Sequence, residues 1–114
     1  MISQTSIRSK REFELVRKKG RSFLGRFFSL CVLSQKEKDG TTRFGIIISL
    51  RVSKKAVLRN KKKRQIKEIV GKNREKIKKG YLCVLVAKKS ILESSYQELE
   101  RDLVFLCKKA GIIS

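Results

Sequence analysis

Acid–base and metal-assisted chemistry both need carboxylates or imidazoles held close together. The ten acidic residues are Glu12, Glu14, Glu37, Asp39, Glu68, Glu75, Glu93, Glu98, Glu100 and Asp102, and they follow no motif. Most stand beside a lysine or arginine, the pattern of a balanced surface. The chain has no histidine, which excludes chemistry by an imidazole pair. No Gly-rich loop precedes Lys-Ser or Lys-Thr, and no serine sits in a hydrolase elbow. The chain is therefore expected to carry no catalytic residue and no metal of its own.

The cations are different, because they are concentrated. Residues 51–79 contain fourteen lysines and arginines against Glu68 and Glu75. Within that span Arg59, Asn60, Lys63, Arg64 and Lys67 fall on one side of a helical wheel. Such a face can lie along a phosphate backbone, with arginine adding fork-shaped donors. Asn60 is neutral among them and suits a base edge, a 2′-hydroxyl or a metal-bound water. The bland alternative is a solvated basic surface with Asn60 as filler. So much unpaired charge on one helix favours a polyanion partner.

The elements that must hold this face follow from local patterns. Ser9, with Glu12 three residues on, opens a helix expected to run to Lys19, with Phe13 and Val16 sharing a face and Gly20 as the stop. Gly25–Leu33 reads as a strand and Arg43–Ser49 as a second, with the Asp39-Gly40 turn predicting a hairpin between them. A short extra strand near Arg21–Leu24 is also allowed. Gly45 inside a strand marks a bulge or a close approach of backbone. Leu50–Lys55 is a basic linker to a central helix from Ala56 to about Val70, with Leu58, Ile66, Ile69 and Val70 as its apolar stripe and Gly71 as its end. Tyr81–Ala87 is nearly continuous apolar sequence, the mark of a strand buried on both faces. A last helix starts at Ser94 or Ser95, with Glu98 completing a capping box, and closes at Gly111. The expected fold is an α/β (α+β) two-layer sandwich, a small mixed sheet with a basic central helix, in one domain spanning 1–114.

With 114 residues and a net charge of +20, the chain repels itself, and a polyanion would offset that cost. No stretch is long and apolar enough for a membrane span, and the N-terminus shows no signal-peptide pattern. Cys31, Cys83 and Cys107 are odd in number and embedded in apolar patterns, so reduced core cysteines and a cytoplasmic setting are expected.

The segment 45-GIIISLRVSKKAVLRNKKKRQIKE-68 resembles the signature of the bacterial ribonuclease P protein family. That family carries an Arg-Asn-Arg, any residue, Lys-Arg run on its central helix, which here reads Arg59, Asn60, Lys61, Lys62, Lys63, Arg64. Arg11-Glu12-Phe13, Val16, Gly20-Arg21-Ser22 and Phe27-Phe28 resemble the family's first helix and strand. Tyr81–Ala87 and Tyr96–Gly111 resemble its closing strand and helix, so almost the whole chain is covered. Lys61 stands where the family has its second arginine, Leu50 where it usually has one member of a basic pair, followed here by Arg51, and Cys31 where an aromatic is frequent. Lys62 stands where an apolar residue is usual and falls within the stripe of Leu58, Ile66 and Ile69, where its stem would cover the core and its ammonium would stay in water.

The resemblance implies a protein subunit whose catalytic RNA partner cleaves the 5′ leader from precursor tRNA with the help of Mg2+. No cofactor is then held stably by the protein, and neither a membrane nor an obligate protein partner is expected. Arg51, Lys54, Lys55, Arg59, Asn60, Lys61, Lys63, Arg64 and Lys67 would contact RNA. A cleft between the first helix and the sheet, from Phe13, Val16, Arg17, Phe27, Phe28 and Cys31, would hold the single-stranded leader. Aromatic faces stack bases without strong sequence preference, and strand alternation would turn one of Phe27 and Phe28 toward the cleft and the other into the core. A general structured-RNA-binding protein, a nuclease acting alone and a DNA reader are the alternatives. The absent histidine speaks against the second, and the lack of a two-helix or zipper module against the third.

Overall fold

The first helix, α1, spans Lys10–Lys19, and the Ser9 hydroxyl accepts the Glu12 N–H at 3.1 Å as its cap. This computed structural model describes residue 7 and residues 9–35 and 40–113. Asp39, half of the expected turn, lies outside them. After α1 come strands β1 (Arg21–Leu24), β2 (Phe28–Ser34) and β3 (Arg43–Ile47), helix α2 (Ala56–Lys72), strand β4 (Tyr81–Ala87) and helix α3 (Tyr96–Lys109). Short 3-10 turns at Arg74–Lys76 and Lys89–Glu93 flank β4.

The four strands lie in the order β1-β2-β4-β3. β4 runs antiparallel to β2 and parallel to β3. The expected hairpin between β2 and β3 is therefore not formed, because β4 lies between them. A parallel pair needs a long crossover, and α2 supplies it between β3 and β4. Gln35 and Gly40 both lie beside the start of β4: Gln35 N–H reaches the Gly80 carbonyl at 2.8 Å, and Gly80 N–H reaches that of Gly40 at 2.7 Å.

The hairpin that does form joins β1 to β2 through Gly25, Arg26 and Phe27, so β2 begins at Phe28 and not at Gly25. Its turn is held from α3. The buried Asp102 carboxylate accepts the Arg26 N–H at 2.9 Å and the Phe27 N–H at 2.8 Å. A Cβ on Gly25 would stand 2.7 Å from that carboxylate, so only glycine fits there.

Alternation along the strands divides the core. Phe28, Leu30, Val32, Phe44, Cys83 and Leu85 face Ile66 and Ile69 of α2 and Leu99, Leu103 and Leu106 of α3. On the other face Cys31, Leu82 and Val84 pack with Val16 of α1 and Ile7. Both layers of the expected sandwich are present, and α1 adds a partial third layer across the second face. All three cysteines are buried and unpaired. Burial pushes the Cys83 thiol well up and that of Cys107 up to about 12.

Helix α2 departs from its expected stripe at Leu58, which is 39% exposed, whereas Lys62 is buried with Ile66, Ile69 and Val70, as its place in the stripe requires. The Lys62 ammonium turns back to the protein and donates to the Ser94 carbonyl at 2.7 Å, at the entrance to α3. Burial lowers its pKa from the usual lysine value, and the charge of Lys61 acts in the same direction. The helix also continues past the exposed Gly71 to Lys72. It ends at Asn73, whose buried Nδ2 donates to the Ile69 carbonyl at 2.8 Å and to Glu100 of α3 at 3.0 Å. The capping box of Ser95 and Glu98 starts α3 as the spacing predicts.

Two stability tests follow. Asp102→Ala leaves two backbone N–H groups without their charged acceptor and should cost about 3 kcal/mol in urea unfolding. A change near zero would mean the turn is held by other interactions. Lys62→Ala should cost about 1–3 kcal/mol by leaving the Ser94 carbonyl unpaired. The neighbouring exposed Lys61→Ala should stay within about 0.5 kcal/mol. Equal effects at the two lysines would show that the Lys62 hydrogen bond contributes nothing.

Candidate nucleic-acid interface

The linker before α2 is pinned to the molecule at one apolar residue. Val52 is buried, and its N–H bonds the Ser49 carbonyl at 3.0 Å. The Ser53 carbonyl takes the Arg59 guanidinium at 2.8 Å, and the Ser53 hydroxyl takes the Lys55 N–H at 3.1 Å. Those bonds fold the linker against the first turns of the helix. Arg51, Lys54 and Lys55 are consequently exposed beside the helix N-terminus. Asn60, Lys61 and Arg64 are exposed along α2, and Arg59, Lys63 and Lys67 are half-buried.

This face lacks counter-charge. Among the described residues the ion pairs are Arg26–Glu98, Arg43–Glu12 and Lys72–Glu100, none of which includes a cation of residues 51–67. The first turn of α2 carries no acidic residue, and its cap, Lys55, makes no side-chain capping bond. Cations at a helix N-terminus oppose the helix dipole. An anion at that end would relieve both the dipole and the mutual repulsion of the side chains. The predicted RNA-contacting residues of the linker and α2 are thus all exposed or half-buried, and Lys62, which is not among them, is buried.

A second surface lies across the sheet, where α1 covers the strands only in part. The strand registers place Leu24, Ser29, Val86 and Ile47 in one row on this face, and Ser22, Cys31, Val84 and Gly45 in the next. Val16 of α1 is fully buried and packs with Cys31 and Val84. Phe13 lies against Gly45, where an added Cβ would come within 2.4 Å of the ring. Gly45 thus marks a close approach, the second of its two expected meanings. Arg43 of β3 grips Glu12 of α1 through both nitrogens of its fork, with Nη1 at 3.2 Å from Oε1. Beside this clamp Lys10, Phe13, Glu14, Arg17 and Ile47 line an open groove of about 450 Å3.

Phe13, Val16, Arg17 and Cys31 therefore do belong to this side of the molecule, with Arg17 exposed at the rim and Val16 and Cys31 buried in the floor. Phe27 and Phe28 do not. Phe28 is fully buried and points with Leu30 and Val32 toward α2 and α3. Phe27 sits in the turn, where alternation does not apply, and is buried in the same core with the Arg26 guanidinium 5.0 Å from its ring centre. The exposed row instead holds Leu24, 70% exposed, with half-buried Ser29, Val86 and Ile47. Alternation in β1 points to Leu24 only once the β1–β2 register is known.

Among the described residues no three His, Cys, Asp or Glu side chains cluster as a metal site, and no helix is long and apolar enough to cross a membrane.

Comparison with known proteins fits this geometry. The family model described as Ribonuclease P matches residues 1–111. The ribonuclease P protein component of Clostridium botulinum (strain Langeland) is 37% identical over 112 residues, covering 97% of this chain and 98% of the relative. Among solved structures, the ribonuclease P protein of Staphylococcus aureus superposes with a TM-score of 0.86 at 27% identity, covering 96% of this chain and 98% of that one. That of Thermotoga maritima gives 0.80 at 28% identity, covering 91% and 96%. The sequence match over nearly the full length, the shared order of elements and the basic central helix agree, and the chain belongs to the bacterial ribonuclease P protein family.

Proposed function

We propose that this chain is the RNA-binding protein subunit of ribonuclease P, assisting removal of the 5′ leader from precursor tRNA while its RNA partner carries out the cleavage. The observation that carries this reading is the set of eight outward cations between Arg51 and Lys67 with no carboxylate paired to any of them. Those cations bind the catalytic RNA. Arg59 and Arg64 offer forked donors to phosphate oxygens, Lys54, Lys55, Lys61, Lys63 and Lys67 add point charges, and Asn60 is free for a base edge or a 2′-hydroxyl.

The groove beside α1 takes the single-stranded leader. Phe13 and the apolar row Leu24, Val86 and Ile47 accept bases, and Lys10 and Arg17 hold phosphates at the rim. The two surfaces lie on opposite faces of one rigid sheet, so one RNA is held against α2 while another strand crosses the α1 side. Mg2+ serves the RNA-containing holoenzyme. The protein's positive field lessens phosphate repulsion and so reduces the ion concentration the RNA needs. The chain acts in the cytoplasm without an obligate protein partner.

Cleavage of precursor tRNA at low Mg2+ tests this with the RNA alone, the protein alone and both together. Cleavage only by the mixture is expected. A mixture no better than the RNA would leave a general RNA-binding protein as the better account, and cleavage by the protein alone would require an active site within it. Arg59→Ala, Lys63→Ala and Lys67→Ala combined should weaken RNA binding and flatten its salt dependence. The log–log slope should fall by about 0.7–0.9 for each phosphate that is no longer neutralised. An unchanged slope would exclude this face from the interface.

A further inference from the structure

The outer face of α3 is not used by either surface described above. It carries Phe105, which is 52% exposed and is the only aromatic ring exposed to that degree among the described residues. An open groove of about 610 Å3 runs along it, between α3 and the segment that follows α2. Lys76, Arg101 and Lys108 line this groove with Phe105, and the Lys109 ammonium stands 5.3 Å from the ring centre. Among the described residues none of these four cations is in an ion pair. The one carboxylate in the groove, Glu100, is already held by Lys72 at 3.1 Å and by Asn73 at 3.0 Å. Those two hydrogen bonds hold its carboxyl below the usual carboxylate range, so it stays charged but occupied.

An apolar partner face would be a poor match for this groove, because docking would strip water from four unpaired cations. A single strand of nucleic acid matches both features at once, with a flat base for the ring and phosphates for the cations. A duplex does not, because its bases are already stacked. We propose that the outer face of α3 is a second RNA-binding surface, taking an unpaired nucleotide with its base on Phe105 and its flanking phosphates on Arg101 and Lys108. This goes beyond the roles given to α2 and the α1 groove and depends on neither.

The chain contains no tryptophan, so Phe105→Trp places a single indole at the proposed site in the full-length protein. A short oligouridine strand should quench its emission in a saturable, salt-sensitive way. Arg101→Ala with Lys108→Ala in that background should weaken the apparent affinity about tenfold. Thermal melting should be unchanged throughout, since all three side chains are exposed. Three results would overturn the proposal. The first is no change in indole emission, whether or not fluorescence anisotropy shows a labelled strand bound elsewhere. The second is quenching that ignores removal of the two cations. The third is equal quenching by polyglutamate, which would make the face an acidic-protein site. Failure of the α2 and groove assignments would appear in the cleavage assay and leave this signal untouched.

Discussion

Burial of β4 on both faces is the constraint on which the remaining structure depends. Seven residues from Tyr81 to Ala87 offer apolar side chains to both sides, so the strand must sit inside the sheet with a layer above and below. That central place separates β2 from β3 and makes β3 a parallel neighbour. A parallel neighbour demands the α2 crossover. The crossover must then present one face to the core, and the opposite face receives the cations. The basic surface is thus a consequence of where β4 lies, although β4 itself carries no charge.

The two faces of the sheet are finished differently. Toward α2 and α3 the core is deep, and Ile66, Ile69, Leu99, Leu103 and Leu106 are almost fully buried. Toward α1 only one short helix is available. It is fixed in three distinct ways: by Val16 in the apolar floor, by Phe13 against Gly45, and by the Glu12–Arg43 fork. One helix cannot cover four strands, so the row from Leu24 to Ile47 stays partly open. The groove is what remains when a sheet is closed well on one side and sparingly on the other.

Much of this was legible in the residues. Ser9 with Glu12 and Ser95 with Glu98 mark helix starts that the structure places as expected, because a cap depends on neighbours in sequence. The continuous apolar run of β4 declares its burial for the same reason. The strand pairing was not legible: Asp39-Gly40 between two strand patterns signals a hairpin, and nothing local reveals that a later strand intervenes. Neither Phe27 nor Phe28 reaches the cleft, because the strand starts at Phe28, later than the pattern suggests: Phe27 falls in the turn, where alternation does not hold, and Phe28 faces the core. The cationic side of α2 and the place of Lys62 within its apolar stripe could be read from helical spacing, but the bond made by the Lys62 ammonium could not, since its partner Ser94 lies thirty-two residues away.

That inward lysine also has a mechanical meaning. A smooth apolar stripe lets a helix roll slightly about its long axis at little cost, because one methyl group replaces another. Lys62 instead inserts a long arm whose tip is fixed to the Ser94 carbonyl, and Asn73 fixes the far end of the same helix to Glu100. Pinned near its middle and at its C-terminal end, α2 has one angular setting. Its cations form a rigid stencil, and a flexible polyanion that meets it must do the adapting.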